Sequence, residues 1–488
     1  MESMILKKWV AIGGALSILG FASSVFSNMS LADESWFLQV AHRVGRGEVL
    51  YGDVFFGVTP LSVYLTVLFT KCFGIEILVL KGINAMIFAS TVLLCCYSLH
   101  QLDKQKFSWN LALSLCLLYP SGVVGGYGSV YNPLANLFFV GCLASLLRHA
   151  RTLKFRSLIG AAACAALCFG SKQNTGLLAF LALTVVAGIY QSKRTLVWIW
   201  GVFALISILI LLPVLYSGEW ESFLDYAFLN KTIYAQKGRI AYFSYAHFCI
   251  FPACLLFSLP LMVLGTLAYI FWKDREPQRV FTAILWVFCF ASFLAIFPRA
   301  DDVHLLIAIP MMLIGLIYGG RRIMPQFPWN GKAITLGLSL LVLYTPAKEV
   351  HGLIRGNRVM LTLNHFHGAC VFLDLQKMIE TRLEALKSQI PEKGPIFFLS
   401  PFAGFYYLAL EIPNPTPFDF PFVTAFGKRG QERVISELAR GMIQSVIVDD
   451  ELNSEMDLQP TQLYDYVRRE LHRNEPGELG PQLHLYRK

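Results

Sequence analysis

The run LVWIWGVFALISILILLPVLY, Leu196 to Tyr216, decides the fold class. It contains no charged residue, with Lys193 and Arg194 before it and Glu219 and Glu221 after it. A helix of this length rises far enough to cross the ~30 Å hydrocarbon core of a bilayer. A helix apolar on every face needs lipid or a packed interior around it, because water would meet hydrocarbon on all sides. Comparable blocks recur at 9–27, 77–99, 108–124, 133–147, 157–171, 175–190, 247–271, 280–297, 303–319 and 333–346. With the quoted run they predict an α-helical polytopic membrane protein of about eleven transmembrane helices. The first block is longer than the 7–15-residue core of a secretory signal, so it is read as a retained span.

Composition points the same way. Of 488 residues, 55% are hydrophobic and only 15% charged, against about 25% charged in ordinary soluble domains. The formal net charge of +9 does not imply nucleic acid as a partner, because Lys and Arg are not gathered on one soluble face. They stand between the apolar blocks, where they set orientation. Lys7 and Lys8; Lys104 and Lys106; Arg148, Arg151, Lys154 and Arg156 occupy alternate loops. Lys193 and Arg194; Lys273, Arg275 and Arg279; and Arg321, Arg322 and Lys332 continue the series. These loops are predicted to be cytoplasmic. The opposite loops carry Asp33, Glu34, Glu219, Glu221, Asp225, Asp301 and Asp302.

Flanking basic clusters at both ends of 157–190 require an even number of crossings, so a tight hairpin turning at Gly170–Asn174 is expected. Two outer segments exceed simple turns. In 28–76, Phe37, Val40, Ala41 and Val44 recur at helical spacing opposite Gln39, Arg43 and Arg46, which predicts a helix lying in the membrane interface. Pro60 to Phe73 predicts a second one. Segment 217–247 is rich in Tyr, Trp and Phe. Its Trp220, Tyr226, Tyr234, Tyr242 and Tyr245 suit interfacial anchoring or stacking on a sugar or prenyl chain.

Residues 1–346 are thus expected to form the membrane domain. Residues 347–488 are expected to form a small extracytoplasmic α/β domain, with helices near 371–388, 428–440 and 461–473 and strands at Pro395–Leu399, Ser445–Val448 and Leu483–Tyr486. Ten of the eleven cysteines precede residue 290, mostly inside apolar blocks, where a thiol packs as a small hydrophobe. Cys370 stands alone in the C-terminal third, and no spacing fits a metal knuckle.

The first outer loop has an organised pattern: Ala32-Asp33-Glu34-Ser35-Trp36-Phe37, then Gly47 through Tyr51-Gly52-Asp53, then Thr59-Pro60-Leu61. Here the sequence resembles the GT-C superfamily of membrane glycosyltransferases, in particular the dolichyl-phosphate-mannose protein mannosyltransferases and the bacterial lipid A aminoarabinose transferases. The resemblance covers most of the chain loosely and residues 30–85 most specifically. It extends to Phe297-Pro298-Arg299-Ala300-Asp301-Asp302-Val303-His304, and to Tyr406-Tyr407-Leu408 with Asn414-Pro415-Thr416. It departs at two places: Asn132 stands where members often carry Asp, and Gly57-Val58-Thr59 replaces an acidic residue and a lysine. Both tell against carrying over the aminoarabinose specificity.

The resemblance implies a glycosyltransferase of a bacterial plasma membrane, and the basic loops imply a cytoplasmic N-terminus. It would move a sugar from a polyprenyl phosphate to a hydroxyl of a lipid, glycan or protein acceptor. Phosphate is already a good leaving group, so the acceptor hydroxyl is the difficult partner and needs a carboxylate for its proton. Asp33 is the candidate base, with Glu34 beside it in an orienting role; the alternative is that Asp33 caps the helix it opens. The departing phosphate needs cations. Lys172, Arg299 and His304 fall at outer span ends; the alternative readings are snorkelling for Lys172 and a local salt-bridged turn of Arg299 and His304 beside Asp301 and Asp302. Asp53, Tyr131, Asn132, Asp301 and Asp302 are weaker substrate-binding candidates, Asp53 also fitting plain turn chemistry. No cofactor is expected, a divalent cation at the acidic pair being the alternative. A polysaccharide polymerase or ligase is a competing reading, but such enzymes place their large outer loop late. A transporter or flippase is another, but it would set ionisable groups near the midplane, where this chain has few.

Overall fold

The computed structural model describes residues 2–103, 129–230, 236, 239–250, 253–323, 351–390, 394–427, 429–449, 460–473 and 483–487. The expected spans 108–124 and 333–346, the basic positions Lys104, Lys106 and Lys332, and Tyr127, Gly128 and Tyr234 lie outside the described residues. So do the side chains of Tyr245 and Asp302.

The helices follow the apolar blocks: α1 (Glu2–Phe26), α2 (Asp33–Gly45), α3 (Leu61–Phe73), α4 (Ile77–Asp103), α5 (Tyr131–Thr152), α6 (Phe155–Ser171), α7 (Gln173–Tyr190), α8 (Lys193–Ser217), α9 (Ala253–Lys273), α10 (Gln278–Leu294) and α11 (Asp302–Ile323). Among the described residues, α4, α5, α7, α8, α9 and α11 are long and apolar enough to cross a membrane. Shorter apolar stretches lie in α1, α3, α6 and α10. The chain separates into two compact units, the first made of Met1–Ser24, Gly82–Leu211 and Ile240–Glu349, the second of Val25–Lys81, Leu212–Arg239 and Val350–Lys488.

The first unit is a helical core of small and branched residues. Along the α5–α6 interface Ala161, Ala162, Ala165 and Ala166 are fully buried, and a Cβ on Gly141 would stand 3.1 Å from Cys164 Sγ. Small residues let backbones approach closely, which is how helices gain dispersion contacts where lipid offers no hydrophobic drive. The hairpin expected at 157–190 is sharper than a loop. Lys172 alone, extended at φ −154° and ψ 113°, separates α6 from α7. A Cβ on Gly176 would lie 2.0 Å from Phe169 N, so only glycine lets the two helix ends meet there.

The second unit joins the first outer loop to the C-terminal segment. Strand β1 (Arg358–Met360) pairs antiparallel with β2 (Cys370–Phe372), and Met29 N donates to Cys370 O at 2.8 Å. A mixed sheet follows, ordered β3 (Ile396–Leu399), β4 (Ser445–Asp449), β6 (Leu483–Arg487), β5 (His472–Arg473), with β3 and β4 parallel and the other pairs antiparallel. Every residue of β3 and β4 is buried, as near-continuous apolar runs require when both faces are covered. Helices α12 (Leu373–Gln389), α13 (Ala403–Leu410), α14 (Gly430–Ala439) and α15 (Thr461–Glu470) accompany the sheet. The three C-terminal helices and three strands expected from patterning are present. The β1–β2 hairpin, α13 and β5 were not anticipated, being too short for periodicity to reveal.

Two expectations about the outer segments need correction. Helix α2 exists, but it does not present a polar face to water or headgroups: Gln39 and Arg43 are buried, as are Phe37, Val40 and Ala41. Its polar stripe faces the C-terminal segment. Arg43 Nη1 donates to Asp419 Oδ2 at 2.8 Å and to Thr416 O at 2.9 Å, Nε to Glu48 Oε2 at 2.8 Å, and Nη2 to Asp53 O at 2.7 Å. A Cβ on Gly404 of α13 would lie 2.7 Å from Trp36 Cα, so α13 rides directly on the α2 backbone. In segment 217–247, Tyr226 packs against Phe55 and Phe418, and Tyr242 against Phe257 and Phe293. Both rings are core residues, neither interfacial anchors nor open stacking platforms.

Candidate functional site

The candidate residues fall into two groups, one in each unit. In the second unit the acidic pair opens α2. Ser30 Oγ accepts from Asp33 N at 3.1 Å, and Ser30 N donates to Glu34 Oε2 at 2.9 Å. This reciprocal arrangement works like a capping box, with Ser30 and Glu34 satisfying the helix start. Capping therefore falls to the neighbours of Asp33, whose exposed side chain takes a long 3.4 Å hydrogen bond from Ser30 Oγ. Glu34 differs: its side chain is buried, and Oε1 pairs with Lys81 Nζ at 3.3 Å. Two carboxylates adjacent in sequence thus sit in opposite environments, one open and one neutralised.

Lys81 is the residue that sequence reading undervalued. It stands near the start of the apolar helix α4. A buried lysine needs a counter-charge, and that requirement was the available signal for a paired carboxylate in the preceding loop. Asp53 shows turn chemistry: its Oδ2 accepts from Val49 N at 2.9 Å.

In the first unit, three candidates meet around the α6–α7 break. Lys172 Nζ donates to Asn132 Oδ1 at 2.8 Å and lies 5.9 Å from the Tyr131 ring centroid, within cation–π range. Lys172 is only 8% exposed, so it does not snorkel. The extended backbone of the break turns its side chain into the helical core.

Around the start of α11, Arg299 Nε donates to Asp301 Oδ2 at 2.6 Å, and His304 Nδ1 and N both donate to Asp301 Oδ1, at 2.6 and 2.8 Å. Asp301 caps α11 and forms the salt-bridged turn that the spacing allowed. Burial raises its carboxyl, but the hydrogen bonds and charge of His304, with Arg299, outweigh burial and hold it well below the usual carboxylate range. With Asp301 ionised, Nδ1 of His304 carries the proton, and Nε2 is left to accept when the ring is neutral. The charges of both Lys172 and Arg299 are felt at His304, so all three proposed phosphate-binding groups share one electrostatic neighbourhood. Clustered cations beside oriented N–H donors can take up a leaving phosphate.

Among the described residues no group of three or more His, Cys, Asp or Glu side chains gathers to hold a metal ion.

No protein-family model matches the sequence, and no curated protein does. Solved structures do match, nearly end to end. ArnT from Cupriavidus metallidurans bound to undecaprenyl phosphate aligns with a TM-score of 0.60 at 12% identity, covering 98% of this chain and 98% of that one. The apo state of the same protein aligns at 0.56 and 13% identity, over 99% and 98%. The apo oligosaccharyltransferase of Archaeoglobus fulgidus aligns at 0.55 and 12% identity, over 95% of this chain and 73% of that one. At such identities the likeness is one of fold. The chain has the fold of the GT-C membrane glycosyltransferases and, with its long apolar helices, is an integral multi-pass membrane protein.

Proposed function

We propose that the protein is a glycosyltransferase that moves a sugar from a polyprenyl-phosphate donor to an acceptor hydroxyl at the extracytoplasmic face. The observation that carries this reading is the near-complete fold match to a protein solved with undecaprenyl phosphate. The exposed Asp33 carboxylate supports the base role. In the reaction, the bond from the sugar's anomeric carbon to the phosphate oxygen breaks, and its electron pair leaves with the phosphate. The acceptor oxygen bonds that carbon from the opposite face, inverting it, and its proton passes to the Asp33 carboxylate. Glu34, held by Lys81, orients the start of α2 rather than taking the proton. Lys172, Arg299 and His304 bind the phosphate as its charge develops, and Tyr131 and Asn132 contact the donor.

The reading carries a topology: eleven spans, basic loops in the cytoplasm, and residues 347–488 outside as a domain. The distribution of Lys and Arg supports it. The test is transfer by purified protein from a panel of polyprenyl-phosphate sugars, read on radiolabelled product. Asp33→Asn is expected to lower turnover about 10²–10⁴-fold, the usual worth of general-base catalysis, with donor binding retained. Full activity in that variant removes Asp33 from the role, and no transfer from any donor overturns the reading.

A further inference from the structure

Within the second unit lies a cavity of about 550 Å³, in the size range of small-molecule sites. One wall is the polar stripe of α2: Gln39, His42, Arg43 and Arg46, at i, i+3, i+4 and i+7 and therefore on one helical face. The facing wall carries His365 from the β1–β2 connection and Tyr407 and Glu411 of the α13 end. Most polar groups here are already engaged. Arg43 is held by Asp419 and Glu48. Glu411 Oε1 accepts from Asn364 Nδ2 at 2.7 Å, and His365 Nδ1 donates to Ile75 O at 2.6 Å.

Three groups are not. Gln39 is 3% exposed, and its Oε1 has no hydrogen-bond partner among the described residues. A buried amide oxygen left so bears its desolvation penalty uncompensated. Arg46, exposed at the mouth, forms no ion pair among the described residues, and nothing there hydrogen-bonds the His42 ring. That ring lies 5.7 Å from the His365 ring, centroid to centroid.

We infer that this cavity binds an acidic sugar, its phosphate or carboxylate held by Arg46, His42 and His365 and one of its hydroxyls donated to Gln39 Oε1. An anion alone would satisfy the cations and leave the amide oxygen unpaired, whereas a neutral sugar would do the reverse. Tyr407 and Pro413 supply apolar surface on the same wall. Asp33 and His42 belong to the same helix, nine positions and hence about 13 Å apart along its axis. The bound acidic sugar is therefore part of the acceptor; that last step rests on the transfer reading, while the binding site does not.

The site predicts a pH dependence. Burial, His365 and Arg46 lower the His42 pKa, against weaker raising effects of Glu48 and Glu411. An anion placed beside the His42 ring favours its charged form, so binding takes up a proton and weakens as pH rises.

The test is isothermal titration of the full-length protein in detergent with glucose 6-phosphate, glucuronate, inorganic phosphate and glucose. Saturable binding of both acidic sugars is expected, at least 10-fold tighter at pH 5.5 than at pH 8, with phosphate weaker and glucose silent. Arg46→Gln, at an exposed position, and His42→Gln should each weaken it at least 10-fold; Gln39→Leu should remove the advantage of glucose 6-phosphate over phosphate. Absence of binding by both acidic sugars at pH 5.5, or binding indifferent to Arg46→Gln and His42→Gln, overturns the proposal. Because the readout is binding, missing transferase activity would count against the transfer reading alone.

Discussion

Lys81 Nζ lies 3.3 Å from the Glu34 carboxylate, with both side chains almost wholly out of solvent. The pair ties the start of α2 to the start of α4 within the second unit, so the segment that carries Asp33 is anchored by a buried charge. Desolvating two ions is expensive, and removing one partner leaves the other uncompensated. Lys81→Met or Glu34→Gln should each cost about 3–5 kcal/mol, read as lower thermal stability in detergent. The double variant should recover most of that loss. A double variant destabilised by the sum of the two single losses would show that the pair is not coupled.

Lys172 is placed by the single extended residue that separates α6 from α7, and it is held by Asn132. If it binds the donor phosphate, Lys172→Gln should raise the donor KM at least 10-fold, because one charge-assisted hydrogen bond is lost. Asn132→Ala should act in the same direction but less strongly, since it only positions the ammonium. An unchanged donor KM in Lys172→Gln removes this residue from the phosphate site.

Asp301 contributes stability with a definite pH signature. Its folded pKa is depressed, so the stabilisation is fully present above the unfolded value of about 4 and is lost as pH falls through the folded one. Asp301→Asn keeps a capping oxygen but loses the charge that pairs with Arg299 and His304, and should therefore lower thermal stability at pH 7. The gap from the parent protein should narrow below about pH 4. A gap constant down to pH 3 would contradict the assignment.

Gly176 stands where a Cβ would come within 2.0 Å of Phe169 N. Phe169 N and the Gly176 Cα that would carry the methyl both belong to helix backbones, so neither gives way cheaply. Gly176→Ala should be destabilising by several kcal/mol or abolish folding, whereas Gly188→Ala, with nothing within 4 Å of the added methyl, should be tolerated. Comparable expression and melting of the two variants would refute the close approach.

By itself the sequence determined the membrane character, the positions of the helices from α1 to α11, and three helices and three strands of the C-terminal third. These rest on hydrophobic length and period, which act locally and leave their mark in consecutive residues; the GT-C fold was expected from resemblance in motifs such as Ala32–Phe37 and Phe297–His304. It also named Tyr131, Asn132 and Lys172, and Arg299, Asp301 and His304, as candidates. Only the tertiary structure joined Lys172 to Asn132, buried Glu34 against Lys81, and turned the polar stripe of α2 toward Asp419 and a cavity instead of water. An amphipathic helix shows the same pattern whether its polar side meets solvent, headgroups or another part of the chain. Asp419, the fully buried one of the two carboxylates that pair with Arg43, lies 376 residues away, and no periodicity reaches that far. The partner of a buried charge is settled by packing, because desolvation is relieved only where distant segments meet.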